Sequence, residues 1–556
     1  MTAANELKEP TQASEMPCPS ATCSSPNNEK HDDLQPEQQD RPRTISGWKW
    51  WLVMVSIQSS MFLYALDATI VADIQPVIIA DLGELEKLTW LSAAFLLGAT
   101  ATNLIWGKVY SHFNAKWTYI LNVAVFEIGS AICGAAPSMN VMIIGRALCG
   151  VAGAGLYVGI MTLVAMTTSL PERPVYVGAT GLTWGIGIVL GPVVGGGFTE
   201  SAVGWRWSFY INLFLGGAAA PVYVFLLPNK DPRPGTAFKD RGRELDVVGS
   251  ILQVGALTAF ILAISWGGVV YPWSSKQVIA LFVVAGVLFI ILGLQQVFTV
   301  FTTLERRIIP VEFFRSRTIL ILFASTSAAG ASAFVPIYMV PLFFQFTRGD
   351  AALDAGVRLL PMIVLLVVTI LANGILLSRF GYYMPWYTAG GLLVVLGGAL
   401  MFTVDMDTST SRIYGYTVIL GFGVGLWIQA SFSVAQAILK PEAIPAAVGF
   451  ITLAQFGGIT IVMAIANAVF LNDCLTNVPR ILPDVPRDQI EAAIQGTNGL
   501  LETLSPGLRS QVLEVIVSGI SKTYALVIAA GALVAVLSLL MKRERLFNVS
   551  AAVAAG

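Results

Sequence analysis

The chain has 556 residues, of which 55% are hydrophobic and 12% charged, and a formal net charge of −1. It is far more apolar than an ordinary soluble protein, and its near-neutral balance excludes a nucleic-acid partner, which needs a basic face for phosphate. Five cysteines are scattered without a disulfide or metal spacing, and both histidines, His31 and His112, fall outside the apolar runs, so no metal or other cofactor is expected.

In chain order, residues 1–46 are rich in Pro, Ser, Glu, Asp and Gln without apolar periodicity, and read as a disordered tail. No cleavable signal peptide is expected ahead of the first apolar block. Fourteen apolar blocks then recur, at 48–72, 89–111, 117–137, 139–168, 174–198, 208–227, 245–268, 277–301, 318–343, 354–378, 384–404, 413–438, 446–470 and 520–541. A bilayer core about 30 Å thick takes about 20 residues of helix to cross, because the backbone must satisfy its own hydrogen bonds in hydrocarbon. The fold class expected is an all-α polytopic membrane protein with 14 transmembrane helices. The fourth block is over-long and is expected to end nearer residue 163.

Six spans (48–227) and six more (318–541) form two groups once the pair at 245–301 is treated as an insert. The basic stretch 228–244 is the linker, 472–519 a long outer loop with short helical patterns near 487–495 and 507–517, and 542–556 a second tail. Paired bundles around a midplane site are a common transporter plan. Loops on the side of the termini carry Lys108, Lys116, Arg173, the basic linker, Arg306, Arg307, Arg315, Arg317, Arg379 and Lys440. The opposite short loops offer only Lys87, Arg206, Lys276, Arg348 and Arg412. The positive-inside rule therefore puts both termini in the cytoplasm.

Charge inside lipid is costly and marks function by default. Asp67 of span one and Arg146 of span four fall at similar depths, each about 5–10 Å outside the midplane at 1.5 Å per residue. They are placed to pair, either as a packing salt bridge or as an exchanging partner in a proton cycle. Glu127, at the middle of span three, has no cation at its depth; it is either a proton-binding acid or a carboxyl hydrogen-bonded between helices. Asp73 is placed near the outer interface, and Asp354 with Arg358, four apart, is read as a local pair. In span five Gly187, Gly191 and Gly195 recur on one face, Pro192 removes a backbone donor, and Gly196 and Gly197 extend the flexible end. A small-residue stripe, Gly145, Cys149 and Gly153, follows span four. Trp184, Gln429 and Gln455 are candidate cavity residues, with lipid- or packing-facing roles as the alternative.

These residues carry a resemblance. Leu66–Pro76 (LDATIVADIQP), Arg146–Gly155 (RALCGVAGAG), Gly187–Gly196 (GIVLGPVVGG), Gly204–Asn212 (GWRWSFYIN) and Gly356–Pro361 (GVRLLP) resemble the motifs of the major facilitator superfamily. Within it they are similar to those of the fourteen-span drug:proton antiporters, particularly fungal toxin exporters. Asp73 and Gln75 depart from the first motif. In the loop Gly107–Lys116 (GKVYSHFNAK), Gly107 and Lys116 fit the family's loop motif, but Ser111, Asn114 and Ala115 replace its expected Asp, Gly and basic residue, so its charge-relay latch is not carried over. The resemblance covers 48–541. It implies a major facilitator fold and proton-driven export of small amphipathic organic molecules by alternating access. Asp67, Glu127 and Arg146 would couple protons, and Gly187, Gly191, Pro192, Gly195 and Gly196 would form the moving contact between bundles. Export of a toxin or drugs across the plasma membrane by a monomer is the expected role, with the vacuolar membrane as the other location. The alternatives are a proton symporter importing a siderophore or nutrient, disfavoured by the span-five motif, and a non-transporting sensor on the same scaffold. No Walker-type phosphate loop occurs, and no catalytic constellation points to an enzyme.

Overall fold

The computed structural model describes residues 46–84, 87–229, 231–268, 270–494 and 500–547. The expected tail 1–46, save Ser46, the tail from 548 onward and the Asp73 side chain lie outside the described residues. The described chain is almost entirely helical, as apolar runs in lipid require.

Six helices form the first bundle: α1 (Trp48–Leu82), α2 (Leu88–His112), α3 (Ala115–Gly134), α4 (Met139–Thr167), α5 (Arg173–Glu200) and α6 (Trp207–Phe225). α4 is central, packed against α2 and α3, while α1 lies against α5 and α6. α4 runs to Thr167 rather than stopping near 163. Its second half is almost wholly buried by neighbouring helices, so its length is not limited by contact with lipid.

A short helix, α7 (Phe238–Arg243), lies in the linker, followed by the inserted pair α8 (Val247–Trp266) and α9 (Lys276–Phe298). Asp246 caps α8 at Gly249 N (2.8 Å) and is held by the amides of Gln295 and Gln296 from the end of α9 (3.1 and 2.7 Å). α8 rests on α2, where Gln253 donates to the Ala101 carbonyl at 3.1 Å, and α9 is left largely to lipid.

The second bundle begins with α10 (Glu312–Arg315) and α11 (Arg317–Ala329), which passes through a π-turn at Gly330–Phe334 into α12 (Val335–Arg348). It continues through α13 (Ala352–Val357), α14 (Leu360–Phe380), α15 (Met384–Phe402), α16 (Thr410–Gly425), α17 (Ala430–Ile438), α18 (Ile444–Ile481), α19 (Arg487–Ile494), α20 (Leu500–Thr503) and α21 (Pro506–Leu539).

Several boundaries differ from those read in the sequence. The segment 472–519 is mostly helix, because α18 and α21 each run well past the apolar block that marks them. Buried Val478, Ile490, Ile494, Val512 and Ile516 pack these extensions into a small cap, which Lys522 ties to Asp473 at 2.6 Å. Block 413–438 is two helices, broken at Leu426–Gln429. Block 354–378 is interrupted between α13 and α14, and the Arg358 side chain pairs with Asp350 of the preceding loop rather than with Asp354, stacking also on Phe344.

Among the described residues thirteen helical stretches are long and apolar enough to cross a membrane. The other expected span is the 25-residue α2, whose Thr100 and Asn103 are turned into the protein and lower its apolarity. The fold is that of two helical bundles with an inserted helix pair.

Candidate functional site

Asp67 and Arg146 meet inside the first bundle. Arg146 Nη1 donates to Asp67 Oδ2 at 2.6 Å and to the Asp67 carbonyl at 3.1 Å, while its Nε donates to the Leu91 carbonyl of α2 at 3.3 Å. The guanidinium lies 4.2 Å from the centroid of the Phe95 ring. Both residues are 1% exposed. A charged pair this deep survives only if each partner neutralises the other and the remaining donors are used. The node ties α1, α2 and α4 together through one guanidinium.

Glu127 lies elsewhere. Its carboxylate presses on Gly216 of α6, and its oxygens have no hydrogen-bond partner among the described residues. The seam between α3 and α6 is internal to the first bundle, so Glu127 does not lie between the two bundles.

The span-five glycines also face inward. A Cβ at Gly187 would strike Ala65, one at Gly191 would strike Thr69, and one at Gly195 would sit 3.0 Å from Ile70. The stripe is therefore the bed of α1 beside Asp67, with Pro192 inside the continuous α5 and Gly196 at its open end. This corrects its expected role as the contact between bundles. That contact belongs to the opposite face of α5. Pro174 O lies 2.5 Å from a Cβ on Gly374 of α14, and Ile370 O lies 3.2 Å from one on Gly178. At 100° per residue, Gly178, Gly181 and Gly185 form a stripe of their own, pointing away from Gly187. The second crossing is α2 on α18, where Pro445 O is 2.8 Å from a Cβ on Gly107. The Gly107–Lys116 loop thus contributes a close helix crossing, and its Asn114 caps α3.

Hydrogen bonds close the linker end between the bundles. Arg173 donates to the Gln436 carbonyl (3.0 Å), Gln436 Nε2 to the Met161 carbonyl (3.3 Å) and Ser378 to the Pro171 carbonyl (2.5 Å). At the far end of the α5–α14 crossing, a Cβ on Gly196, on the same face as Gly178, would meet nothing within 4 Å, so the close contact does not extend there. The conformation is closed at the linker end.

Where closed and open halves meet, aromatic rings from both bundles converge. Tyr157 of α4 has ring centroids of Phe432 at 5.7 Å, Phe456 at 6.3 Å and Trp184 at 6.4 Å; Trp184 also lies 5.3 Å from Tyr64. The Tyr157 hydroxyl donates to Gln455 Oε1 at 3.3 Å and adjoins Gln429. The three candidate cavity residues thus share one cluster. Its other members, Tyr64, Tyr157, Phe432 and Phe456, carried no sequence signal beyond being aromatic within a span.

Comparison with known proteins places this geometry. Residues 57–463 match the model of the Major Facilitator Superfamily. The chain is 51% identical over 531 residues to the MFS-type transporter pgmG of Aspergillus terreus, covering 95% of each protein. It is 46% identical over 524 residues to the efflux pump alnA of Emericella nidulans, covering 94% of this chain and 95% of that one. Among solved structures, the proton:xylose symporter XylE aligns with a TM-score of 0.56 at 12% identity, over 90% of this chain and 98% of that one. The human organic anion transporter MFSD10 aligns at 0.53 and 12% identity, over 88% and 100%. At such low identity these two speak for the fold alone. The chain belongs to the Major Facilitator Superfamily.

Proposed function

We propose that this protein is a proton-coupled exporter of small amphipathic organic molecules, working by alternating access from a cytoplasmic linker end to the opposite side. The observation that carries the reading is the Asp67–Arg146 pair, 2.6 Å apart and buried one helical turn from Tyr64 of the aromatic cluster. A proton on Asp67 removes the anion that neutralises Arg146. The freed guanidinium then changes its hold on Leu91 of α2, a helix that packs on α18 of the other bundle. Protonation at one site thereby biases the seam, which is what coupling requires. Glu127 is a second acid, set apart from the seam and separable from Asp67 by its pH profile.

Export rather than uptake is supported by relatives named as efflux pumps, alnA and the DEP3 protein of Alternaria brassicicola, the latter 41% identical over 89% of this chain. The basic linker and loops support a cytoplasmic position for the termini, and the plasma membrane is the proposed site of a monomer working without a cofactor. The test is proteoliposomes with an imposed proton gradient. Asp67→Asn should abolish gradient-driven movement of a fluorescent substrate while the protein remains folded. Full retention of gradient-driven movement would remove Asp67 from the mechanism.

A further inference from the structure

The central cluster is aromatic, amide-bearing and without charge. Residues 318–347, 360–378, 384–404, 413–439, 443–472 and 523–541, which supply the membrane-depth helices of the second bundle, contain no Asp, Glu, Lys, Arg or His. On the first-bundle side the nearby charges are Asp67 and Arg146, already paired and enclosed. What the cluster offers instead is ring faces and amides. Trp184 and Gln455 are its half-buried members, standing where the bundles begin to part. Gln429 occupies the break between α16 and α17, with Oε1 unpartnered among the described residues.

That break is a second, independent mark of a site. At Leu426, Trp427 and Ala430 the backbone amides reach back three residues, to Gly423, Val424 and Trp427, while Ile428 keeps its bond to Val424, so the helix tightens and its regular ladder is interrupted within the span. Non-helical backbone at this depth is tolerated only where protein or a cavity covers it, and interrupted helices frame midplane substrate sites.

We infer that this cluster selects uncharged, flat molecules carrying carbonyl or amide groups, and rejects permanent cations and anions. Ring faces stack on a planar ligand, and Gln429 and Gln455 exchange hydrogen bonds with its polar edge. A fixed charge would be desolvated with no counter-charge within reach. The inference rests on the export reading for its biological sense but has its own test.

The full chain in nanodiscs is titrated with one fluorescent scaffold in three charge states. These are 7-methoxycoumarin-3-carboxamide, the corresponding 3-carboxylate, and the carboxamide bearing a trimethylammonioethyl group. The neutral probe should bind saturably and about tenfold or more tightly than either charged one. Trp184→Ala should weaken the neutral probe about tenfold. Gln429→Glu should raise affinity for the trimethylammonium probe to at least that of the neutral one, a gain that misfolding cannot imitate. Equal or tighter binding of a charged probe to the unaltered chain, or no saturable binding of the neutral one, overturns the inference. Charge selection without gradient-driven transport would overturn the export reading alone, and transport without charge selection this inference alone.

Discussion

The two bundles divide the labour unequally. The first keeps its charge inside: Asp67 with Arg146 at 2.6 Å, and Glu127 in the α3–α6 seam. The second has no ionisable side chain other than tyrosine at membrane depth, and carries irregular backbone instead, a π-turn at Gly330–Phe334 and a break at Leu426–Gln429. Electrostatic work is thus concentrated in one half and shape adaptation in the other. They meet at Tyr157, which belongs to the charged half and touches Phe432 and Phe456 of the uncharged one.

The largest effect should come from unbalancing the charged half. Arg146→Ala leaves Asp67 buried without its cation and should cost about 3–5 kcal/mol of stability, seen as a fall in melting temperature. The double variant Asp67→Asn, Arg146→Gln should recover most of that loss. An equal loss from Gln429→Ala in the other half would break the comparison.

Next in size is a pair of glycine variants that separates packing within a bundle from contact between bundles. Gly374→Leu sets side-chain atoms against the Pro174 carbonyl across the seam. It should hold the linker end open, raising thiol labelling of a Ser433→Cys reporter severalfold with little change in stability. Gly191→Leu drives into Thr69 within the first bundle and should cost about 1–3 kcal/mol without altering reporter labelling. The reverse pattern would restore the Gly187–Gly195 stripe to the moving contact.

A smaller effect is expected at the linker. Arg241 grips Asp231 with two hydrogen bonds of 2.8 Å, which holds the Asp231 carboxyl below the usual carboxylate range. An acid lowered in this way contributes stability above its ordinary value of about 4, and that contribution is lost as pH falls through the lower folded value. Hydrogen exchange over 231–244, corrected for intrinsic rate, should therefore stay slow at neutral pH and accelerate only in strong acid. In Asp231→Asn it should be fast throughout. Asp350, gripped by Arg358 in the other bundle and lowered for the same reason, should follow the same sign.

Smallest should be Glu127→Gln. With its carboxylate in a seam internal to the first bundle, the substitution should shift the pH profile of transport without abolishing coupling. An unchanged profile would make Glu127 structural.

The charged node was legible in the sequence. Two ionisable residues at one depth in lipid have few alternatives to pairing, so Asp67 and Arg146 could be matched by counting residues. The glycine stripe was legible as a close-packing face, but its partner was not. Periodicity shows that Gly187, Gly191 and Gly195 share a face without saying which helix lies against it. The seam stripe Gly178, Gly181, Gly185 was present in the same span, and its irregular spacing hid it beside the stricter four-residue repeat. Four-residue spacing put Arg358 beside Asp354, and its amide does reach the Asp354 carbonyl, but spacing along a helix does not choose among nearby carboxylates, and the guanidinium takes Asp350 from the preceding loop.

Composition and apolar length alone determined that the chain is a helical membrane protein, because a run of about 20 apolar residues satisfies its backbone hydrogen bonds in hydrocarbon as a helix. Tertiary packing alone decided which faces meet, where the helices on either side of 472–519 end, and that α16 stops at Gly425. These depend on contacts between residues far apart in the chain: Gly374 with Pro174, Ile490 and Val512 beneath the cap, and Gly425 against Leu366. A local pattern sets how a segment folds on itself, while the neighbour it folds against is fixed by the rest of the molecule.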